Sequence, residues 1–377
     1  MKNGDALYYQ IYQQLLEELR QGVYDGGKRL PTEAELTQRY FVSRITAKKA
    51  LNLLAERGLV VRISGRGTFA RKDCPVPLMQ EPSDGARLIA LVMGGYSSSF
   101  GLDIINGAMR RAEQLGLHLV VKETGNDQQR ETAILQALSG AGVGGIIVQP
   151  AHGELYNQWL ISAALNRFPL VMLDRSMPGM EVPFVGVDNA RLSRRAVSEI
   201  LRKGHRNVAL VALEDDYSSS LKERMQGFAE AFADCGLPVK HELWLTRISE
   251  RAEAAGIDKN TSQSHEIYVS AIAEHLRAHP EITAIFGTEY VASKAAWDAA
   301  RRVGLKVPQQ LSIVSFDFDS GYLGVHLLTH IKQPQLALGA SAVEVLHDVL
   351  QGQPQRPLAH LLDGEWVEGD SLAEPAS

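Results

Sequence analysis

The first seventy residues set apolar positions at helical spacing and then switch to short alternating runs. Leu7, Ile11, Leu15, Leu16 and Leu19 recur three and four residues apart, which predicts an amphipathic helix over 7–23 with Gly22 as its stop. Thr32 is placed to cap a second helix, with Glu35 three residues on completing a capping box, and that helix runs to about Tyr40. Ser43 caps a third, carried by Ala50, Leu51, Leu54 and Ala55 to Gly58. Two β-type runs, 59–63 and 68–70, flank a turn at Ser64, Gly65, Arg66 and Gly67. Residues 72–86 hold three prolines and no period, which reads as a semi-stiff linker.

From Arg87 onward the pattern changes to continuous apolar runs alternating with helical ones. Strands are expected at 88–93, 117–121, 145–148, 170–173 and 182–187, and a second set at 208–213, 282–286, 312–316 and 328–331. Helices fill most gaps, among them 104–115, 130–138, 193–201, 223–235, 264–278 and 292–303. Continuous apolar strands between helices indicate parallel sheets covered on both faces, and the run is long enough for two. The fold class is α/β: a small helical head with a hairpin, and a two-lobed body with two doubly wound parallel sheets. Ligands of such bodies bind outside the carboxyl ends of the strands.

The chain has 377 residues and a net charge of −5, but the charge is unevenly placed. Residues 1–72 carry 13 Lys and Arg against 7 Asp and Glu, leaving 26 against 37 in the remainder. A basic head on an acidic body suggests that only the head meets a polyanion. No apolar run reaches the roughly 18 residues of a membrane span, and the N-terminus lacks an apolar signal core, so a cytoplasmic location is expected. Cys74 and Cys235 stand far apart, in no metal or redox spacing, and read as free thiols. The run Gly140 to Gly145 contains a G-x-G-x-x-G string, but it precedes a strand and does not open a helix, so it reads as a helix stop and turn. There is no phosphate-cradling G-x-x-x-x-G-K-[ST], no H-E-x-x-H and no evident catalytic triad. An enzyme, a metal and a cofactor are therefore not expected.

The head resembles the winged helix-turn-helix of the GntR family. The matching residues are Leu30-Pro31-Thr32-Glu33 with Glu35-Leu36, Val42-Ser43-Arg44 with Thr46, Ala50-Leu51 with Leu54, Glu56-Arg57-Gly58-Leu59, and the wing Gly65-Arg66-Gly67-Thr68-Phe69. The resemblance covers 7–71 and implies DNA contacts from Ser43, Arg44, Thr46 and Lys48 in the major groove and from Gly65 and Arg66 at the wing. Arg44 suits a bidentate contact to guanine, Ser43, Thr46 and Lys48 suit phosphates, and Arg66 suits a minor groove. Where relatives often carry a basic residue, this chain has Ala34, so operator preference does not carry over. Taken alone, Arg44 and Lys48 also fit a solvated helix face.

The body, from 87 to 377, resembles the effector domain of the LacI family, similar to periplasmic sugar-binding proteins. The resemblance rests on Ile104-Ile105-Asn106-Gly107, Gly145-Ile146-Ile147-Val148, Pro169 to Arg175, Val187-Asp188-Asn189, Gly204-His205-Arg206, Arg224 to Phe228, Val307-Pro308 with Ser312-Ile313-Val314, Phe316 to Asp319, and Lys332-Gln333-Pro334 with Leu338-Gly339. The pairing of head and body resembles arabinose repressors of the AraR type. Family topology implies one lobe of about 87–188 plus 335–363 and another of about 189–334 plus 364–377, with hinge crossings at Asp188-Asn189 and near Gln333-Pro334.

A sugar pocket needs planar charged groups for vicinal hydroxyls and an apolar wall. Arg224 and Asp317 match family ligand positions. Asp174 and Arg175 follow the 170–173 strand, and Gln333 follows the 328–331 strand. Tyr96, Ser98 and Phe100 follow the first strand and offer a wall and a hydroxyl. Lys222 and Glu123 are further candidates. Thr288-Glu289 stands where the family usually has Asn-Asp, which leaves a hydroxyl at Thr288 and removes an amide. Asp174 with Arg175 also fits a surface pair, Arg224 a helix ion pair, and Asp319 stands as an alternative to Asp317. The expected function is a homodimeric transcriptional repressor on a palindromic operator, released by a sugar, with L-arabinose or another pentose as the implied effector. A purine or nucleoside effector, a ligand-dependent activator, and a binding protein or enzyme without regulatory DNA binding stay open.

Overall fold

The computed structural model describes residues 7–20, 23–24, 28–56, 59–63, 66–70, 88–151, 157–214, 218–258, 261–319, 328–353 and 357–375. The chain divides into two compact units, Met1–Gln80 and Glu81–Ser377. The linker expected at 72–86, Gly65 and Cys74 lie outside the described residues.

In the first unit, helices α1 (Leu7–Arg20), α2 (Glu33–Tyr40) and α3 (Arg44–Glu56) precede an antiparallel pair, β1 (Val60–Ile63) and β2 (Gly67–Ala70). Helix α1 ends earlier than the apolar period suggests, and Val23–Tyr24 already form a turn. The capping box is present: the Glu35 backbone N–H donates to the Thr32 hydroxyl, and the Thr32 N–H donates to the Glu35 carboxylate at 2.7 Å. These bonds, with the Arg29 guanidinium, hold the Glu35 carboxyl at about 2. The turn between α2 and α3 is sharp because Phe41 takes a left-handed conformation, φ 53°. Ile11, Leu15, Leu36, Ala47, Leu51, Leu54 and Val60 close one core beneath the helices and the hairpin.

The second unit opens with β3 (Leu88–Met93), α4 (Leu102–Gln114), β4 (His118–Glu123), α5 (Gln128–Gly140), β5 (Gly145–Val148), α6 (Gln158–Leu165), β6 (Leu170–Leu173) and β7 (Phe184–Val187). It continues with α7 (Asn189–Arg202), β8 (Val208–Val211), α8 (Ser219–Asp234), α9 (Ser249–Ala254), α10 (Ser262–Ala278), β9 (Ala284–Gly287), α11 (Tyr290–Arg302), β10 (Ser312–Phe316) and β11 (Thr329–Lys332). The chain then adds α12 (Gln335–Leu350), β12 (Ala359–Leu362) and β13 (Glu365–Val367). The strands form a six-stranded sheet in the order β12-β7-β6-β5-β3-β4 and a five-stranded sheet in the order β13-β11-β10-β9-β8. All pairs are parallel except β11 with β13. The chain passes from one sheet to the other after β7, after β11 and after β12.

Every expected strand run carries a strand, with ends shifted by up to two residues in either direction. The two edge strands β12 and β13 were not anticipated, being three or four residues long and half exposed. The Gly140–Gly145 run is a helix end and turn leading into β5, as its position implied. His205 is structural: its ring bonds the Thr283 hydroxyl and the Ala373 carbonyl, pinning the C-terminal segment to the five-stranded sheet.

Helices α4 and α12 cross closely because each places a glycine at the contact. A Cβ on Gly339 would sit 1.9 Å from the Ile104 carbonyl oxygen, and one on Gly107 would sit 2.0 Å from that of Leu336. Backbone cannot yield as a side-chain tip can, so Gly339→Ala is expected to destabilise the body by about 1–3 kcal/mol in urea unfolding. An unchanged midpoint would show that the crossing is looser than described.

Candidate DNA-binding head and effector cleft

The first turn of α3 presents the head's expected contact residues. Ser43 is its cap: the Ser43 hydroxyl accepts from the Thr46 N–H at 3.1 Å and shares a 2.8 Å bond with the Thr46 hydroxyl. Both hydroxyls therefore organise the helix end as well as facing outward. Arg44 has a 79% exposed side chain, steadied by a 3.7 Å ion pair to Glu33. Lys48 and Arg66 are exposed. The sequence reading passed over Ile45, which is 79% exposed on the same turn, and Phe41, 95% exposed just before it. Burial alone identifies them, since an apolar side chain left in water next to an exposed Arg has no role in the core.

In the body, the carboxyl ends of both sheets meet around a cluster of buried charge. Arg224, in the second turn of α8, stacks its guanidinium 3.7 Å from the Phe316 ring centroid. Its Nε donates to Asn189 Oδ1 at 2.9 Å and its Nη1 to the Thr288 carbonyl at 2.7 Å. Asp317 directly follows β10 in a left-handed conformation, φ 65°, and its Oδ2 accepts from the Gln333 side-chain amide at 2.7 Å. From the six-stranded side, Asp174 follows β6 with φ 62° and accepts from Gln149 Nε2 at 2.8 Å. The adjacent Arg175 donates from Nη1 to Asn126 Oδ1 at 2.9 Å and to the Pro150 carbonyl at 2.8 Å. Asp317 feels both Arg224 and Asp174, and Arg175 feels Glu289, Glu214 and Arg224, so groups from the two sheets face one another.

Burial sets the electrostatics. It pushes the Asp317 carboxyl up to about 7, against the opposing pull of Arg224 and of the Gln333 amide. Burial and then the neighbouring Glu214 raise Glu289, while burial lowers Arg175. Among the described residues, two hydrogen bonds span the mouth of the cleft. The Ser98 hydroxyl donates to Asp319 Oδ2 at 2.7 Å, and the Ser176 N–H donates to the Ser219 hydroxyl at 2.9 Å.

The structure thus brings together Arg224, Asp317, Gln333, Asp174 and Arg175, and puts Ser98 at the rim. Thr288 joins them differently from the expectation. Its hydroxyl turns back to the Val211 carbonyl at 3.3 Å, and only its own carbonyl reaches Arg224. Phe100 packs against the body's core, and Tyr96 is 47% exposed. Lys222 is exposed, and so is Glu123, whose carboxylate lies beside Gly95. The sequence reading missed Asn126, Gln149, Glu214 and, as a member of the cluster, Glu289. Each stands just beyond a strand end, so the same positional rule applied to every strand finds them.

Among families, residues 7–70 match bacterial regulatory proteins of the gntR family, and residues 197–372 match the periplasmic binding protein-like domain. The chain joins a gntR-type head to a periplasmic-binding-protein-like body. It is 26% identical over 348 residues to an arabinose metabolism transcriptional repressor of Geobacillus stearothermophilus, covering 91% of each chain. It is 29% identical over 308 residues to the HTH-type transcriptional regulator DegA of Bacillus subtilis, covering 79% of this chain and 81% of DegA. Among solved structures, a complex of the transcriptional regulator CelR with cellobiose shares the fold with a TM-score of 0.67 at 20% identity, covering 91% of this chain and 100% of CelR. These relatives are transcription regulators, not enzymes, and so is this gntR-headed chain. Among the described residues no cluster of His, Cys, Asp or Glu could hold a metal, and no helix is long and apolar enough to cross a membrane.

The raised Asp317 carboxyl has a stability consequence of defined sign. The unfolded chain releases this proton near 4, whereas the folded body keeps it to about 7, so stability falls as pH rises between those values. Asp317→Asn keeps an acceptor for the Gln333 amide and removes the charge. The variant is expected to melt ~2–4 °C above the parent at pH 8, the equivalent of about 1 kcal/mol, and within ~1 °C of it at pH 4. Differential scanning calorimetry checks this, and a lower melting temperature at pH 8 contradicts it.

Proposed function

We propose that the chain is a transcriptional repressor of carbohydrate-utilisation genes, and that a sugar bound between the two sheets of the body releases it from its operator. L-arabinose or another pentose is the effector we favour. The observation that carries the reading is the pairing, in one chain, of a gntR-matched head exposing Arg44 with a periplasmic-binding-protein-like body whose strand ends converge on buried polar groups. The arabinose repressor relative supports the choice of sugar.

In this reading Arg44 and Lys48 meet DNA from α3 and Arg66 from the hairpin. Arg44 pairs with a guanine edge, Lys48 neutralises a phosphate, and the exposed Ile45 offers apolar surface to a thymine methyl. Two copies on a palindromic operator match protein symmetry to DNA symmetry, and the protein works in the cytoplasm. In the body, Asp174, Arg175, Arg224, Asp317 and Gln333 contact sugar hydroxyls, with Ser98 and Tyr96 at the mouth. Sugar binding and operator binding then need only a coupling of about 1–3 kcal/mol.

Gel-shift titration tests this with DNA from the chain's own upstream region. Arg44→Ala is expected to weaken binding ~5- to 100-fold, the worth of one bidentate base contact. Lys48→Ala is expected to reduce the salt slope by about 1. Millimolar L-arabinose or another pentose is expected to release the parent protein. Binding untouched by Arg44→Ala defeats the DNA reading, and release by adenine or guanine nucleosides with no response to any sugar defeats the effector reading.

A further inference from the structure

We propose that the body carries a second ligand site beside the crossing between its sheets, an apolar pocket with carboxyls at one end. It takes a small organic cation with an apolar body, and its occupation tightens sugar binding in the cleft. The site stands by itself, and only its effect on sugar rests on the effector reading above.

The pocket lies against the edge of the six-stranded sheet. Strands β7 and β12 run parallel there, with Ala359 opposite Phe184 and Leu361 opposite Gly186. Side chains alternate across a strand, so Phe184, Ala359 and Leu361 share one face. Val185 and Val187 alternate to the other, where they join the core with residues of α12. The segment after β6 borders the first face, and the two bound a space of about 390 Å³. Met177, Met180, Val182, Phe184, Leu358 and Leu361 give it apolar walls. That volume is at the small end of ligand pockets, ~300–1,000 Å³, and suits a single-ring compound. None of Asp174, Arg175, Arg224, Asp317 and Gln333 lines it, so it is a separate place from the sugar cleft.

Charge names the guest. Asp188 and Glu223 line the same pocket. Asp188 shares Arg191, at 3.7 Å, with Asp363. Glu223 makes no ion pair among the described residues and accepts from the Asn189 amide at 3.2 Å. Burial, with the neighbouring Asp188, pushes the Glu223 carboxyl up, the response of a negative charge short of positive company. An ammonium group in the pocket reverses this, because it favours the ionised carboxylate and pairs with it away from bulk water. A neutral guest leaves the carboxyls as they are, and an anion is repelled by both. The methionine, leucine and phenylalanine walls call for an apolar body on the cation.

Position links the pocket to the switch. Met177, Phe184 and Leu361 belong to the six-stranded side, whereas Glu223 lies on α8, which follows β8 of the five-stranded sheet. A guest that touches both sides favours the arrangement that brings them together. Ser176 also lines the pocket, and its N–H makes the mouth bond to Ser219. Asn189 joins the two sites, since its Nδ2 donates to Glu223 and its Oδ1 accepts from Arg224. Sugar favours the same closure, so each ligand strengthens the other.

Isothermal titration of the full chain at pH 7 tests this with phenethylamine, its neutral match 2-phenylethanol and the anion phenylacetate. The amine is expected to bind ~10-fold or more tightly than the alcohol, with no binding of the anion. Glu223→Gln keeps an acceptor for Asn189 and is expected to close the gap between amine and alcohol. Ala359→Phe fills the pocket and is expected to abolish amine binding while leaving L-arabinose binding unchanged. Saturating amine is expected to tighten L-arabinose binding by ~5-fold or more. Amine binding that is no tighter than the alcohol's, that survives either variant unaltered, or that competes with L-arabinose overturns the site. Binding of acetyl-leucyl-arginine amide where phenethylamine fails assigns the pocket to a protein partner and overturns it too. A sugar affinity indifferent to the amine overturns the coupling. Amine binding as expected with no response to any sugar upholds the site and defeats the sugar reading alone.

Discussion

A guanidinium lies inside the body with its face on the Phe316 ring and its nitrogens on Asn189 and the Thr288 carbonyl. A buried charge is tolerable only when its hydrogen bonds are met, and removing a partner costs several kcal/mol. Arg224 therefore fixes four elements at once. It sits on α8, Asn189 begins α7, Thr288 follows β9 and Phe316 ends β10. Asn189 is also the first residue after the crossing from the six-stranded sheet, and its amide donates onward to Glu223 at 3.2 Å. The wall of the cleft and one of the crossings between its sheets are thus tied to a single side chain.

The rest of the cleft follows from keeping that charge company. Arg175 comes from the opposite sheet, and the carboxyls of Asp174, Asp317, Glu214 and Glu289 surround the pair. Such a cluster is sensitive to distance, because charged neighbours act on Asp317 and Glu289 alongside burial. Moving the sheets apart separates Asp174 from Asp317 and Arg175 from Arg224. The Ser98–Asp319 and Ser176–Ser219 bonds across the mouth are single hydrogen bonds at the rim, each worth about 1 kcal/mol. Closure of this size is easily biased by a ligand that bonds both walls. That is the physical content of the proposed switch: the ligand's hydroxyls would add to a closure that these two bonds hold only weakly.

The head obeys a different logic. Its stability comes from local devices: a capping box, a serine cap and a small apolar core under three helices. These leave Arg44, Ile45 and Lys48 outside the packing and free to meet a partner. The residues that hold the head together and the residues that would read DNA are therefore separate sets, apart from Ser43 and Thr46, which serve the cap.

The sequence by itself determined what depends on neighbours along the chain. The helices of the head, the Thr32–Glu35 box, the parallel strands and the place of Asp174, Arg224, Asp317 and Gln333 near strand ends follow from period, caps and position. Tertiary structure decided what depends on partners far apart in sequence. It turned the Thr288 hydroxyl onto Val211 and left its carbonyl for Arg224. It left Lys222 in solvent and drew Glu289 into the cluster. It also packed β12 and β13 as edges and pressed Gly107 and Gly339 against backbone. A residue's type and place along a strand are local facts. The direction of a hydroxyl, the ionisation of a carboxyl and the room for a Cβ are sums over neighbours that only the folded chain assembles.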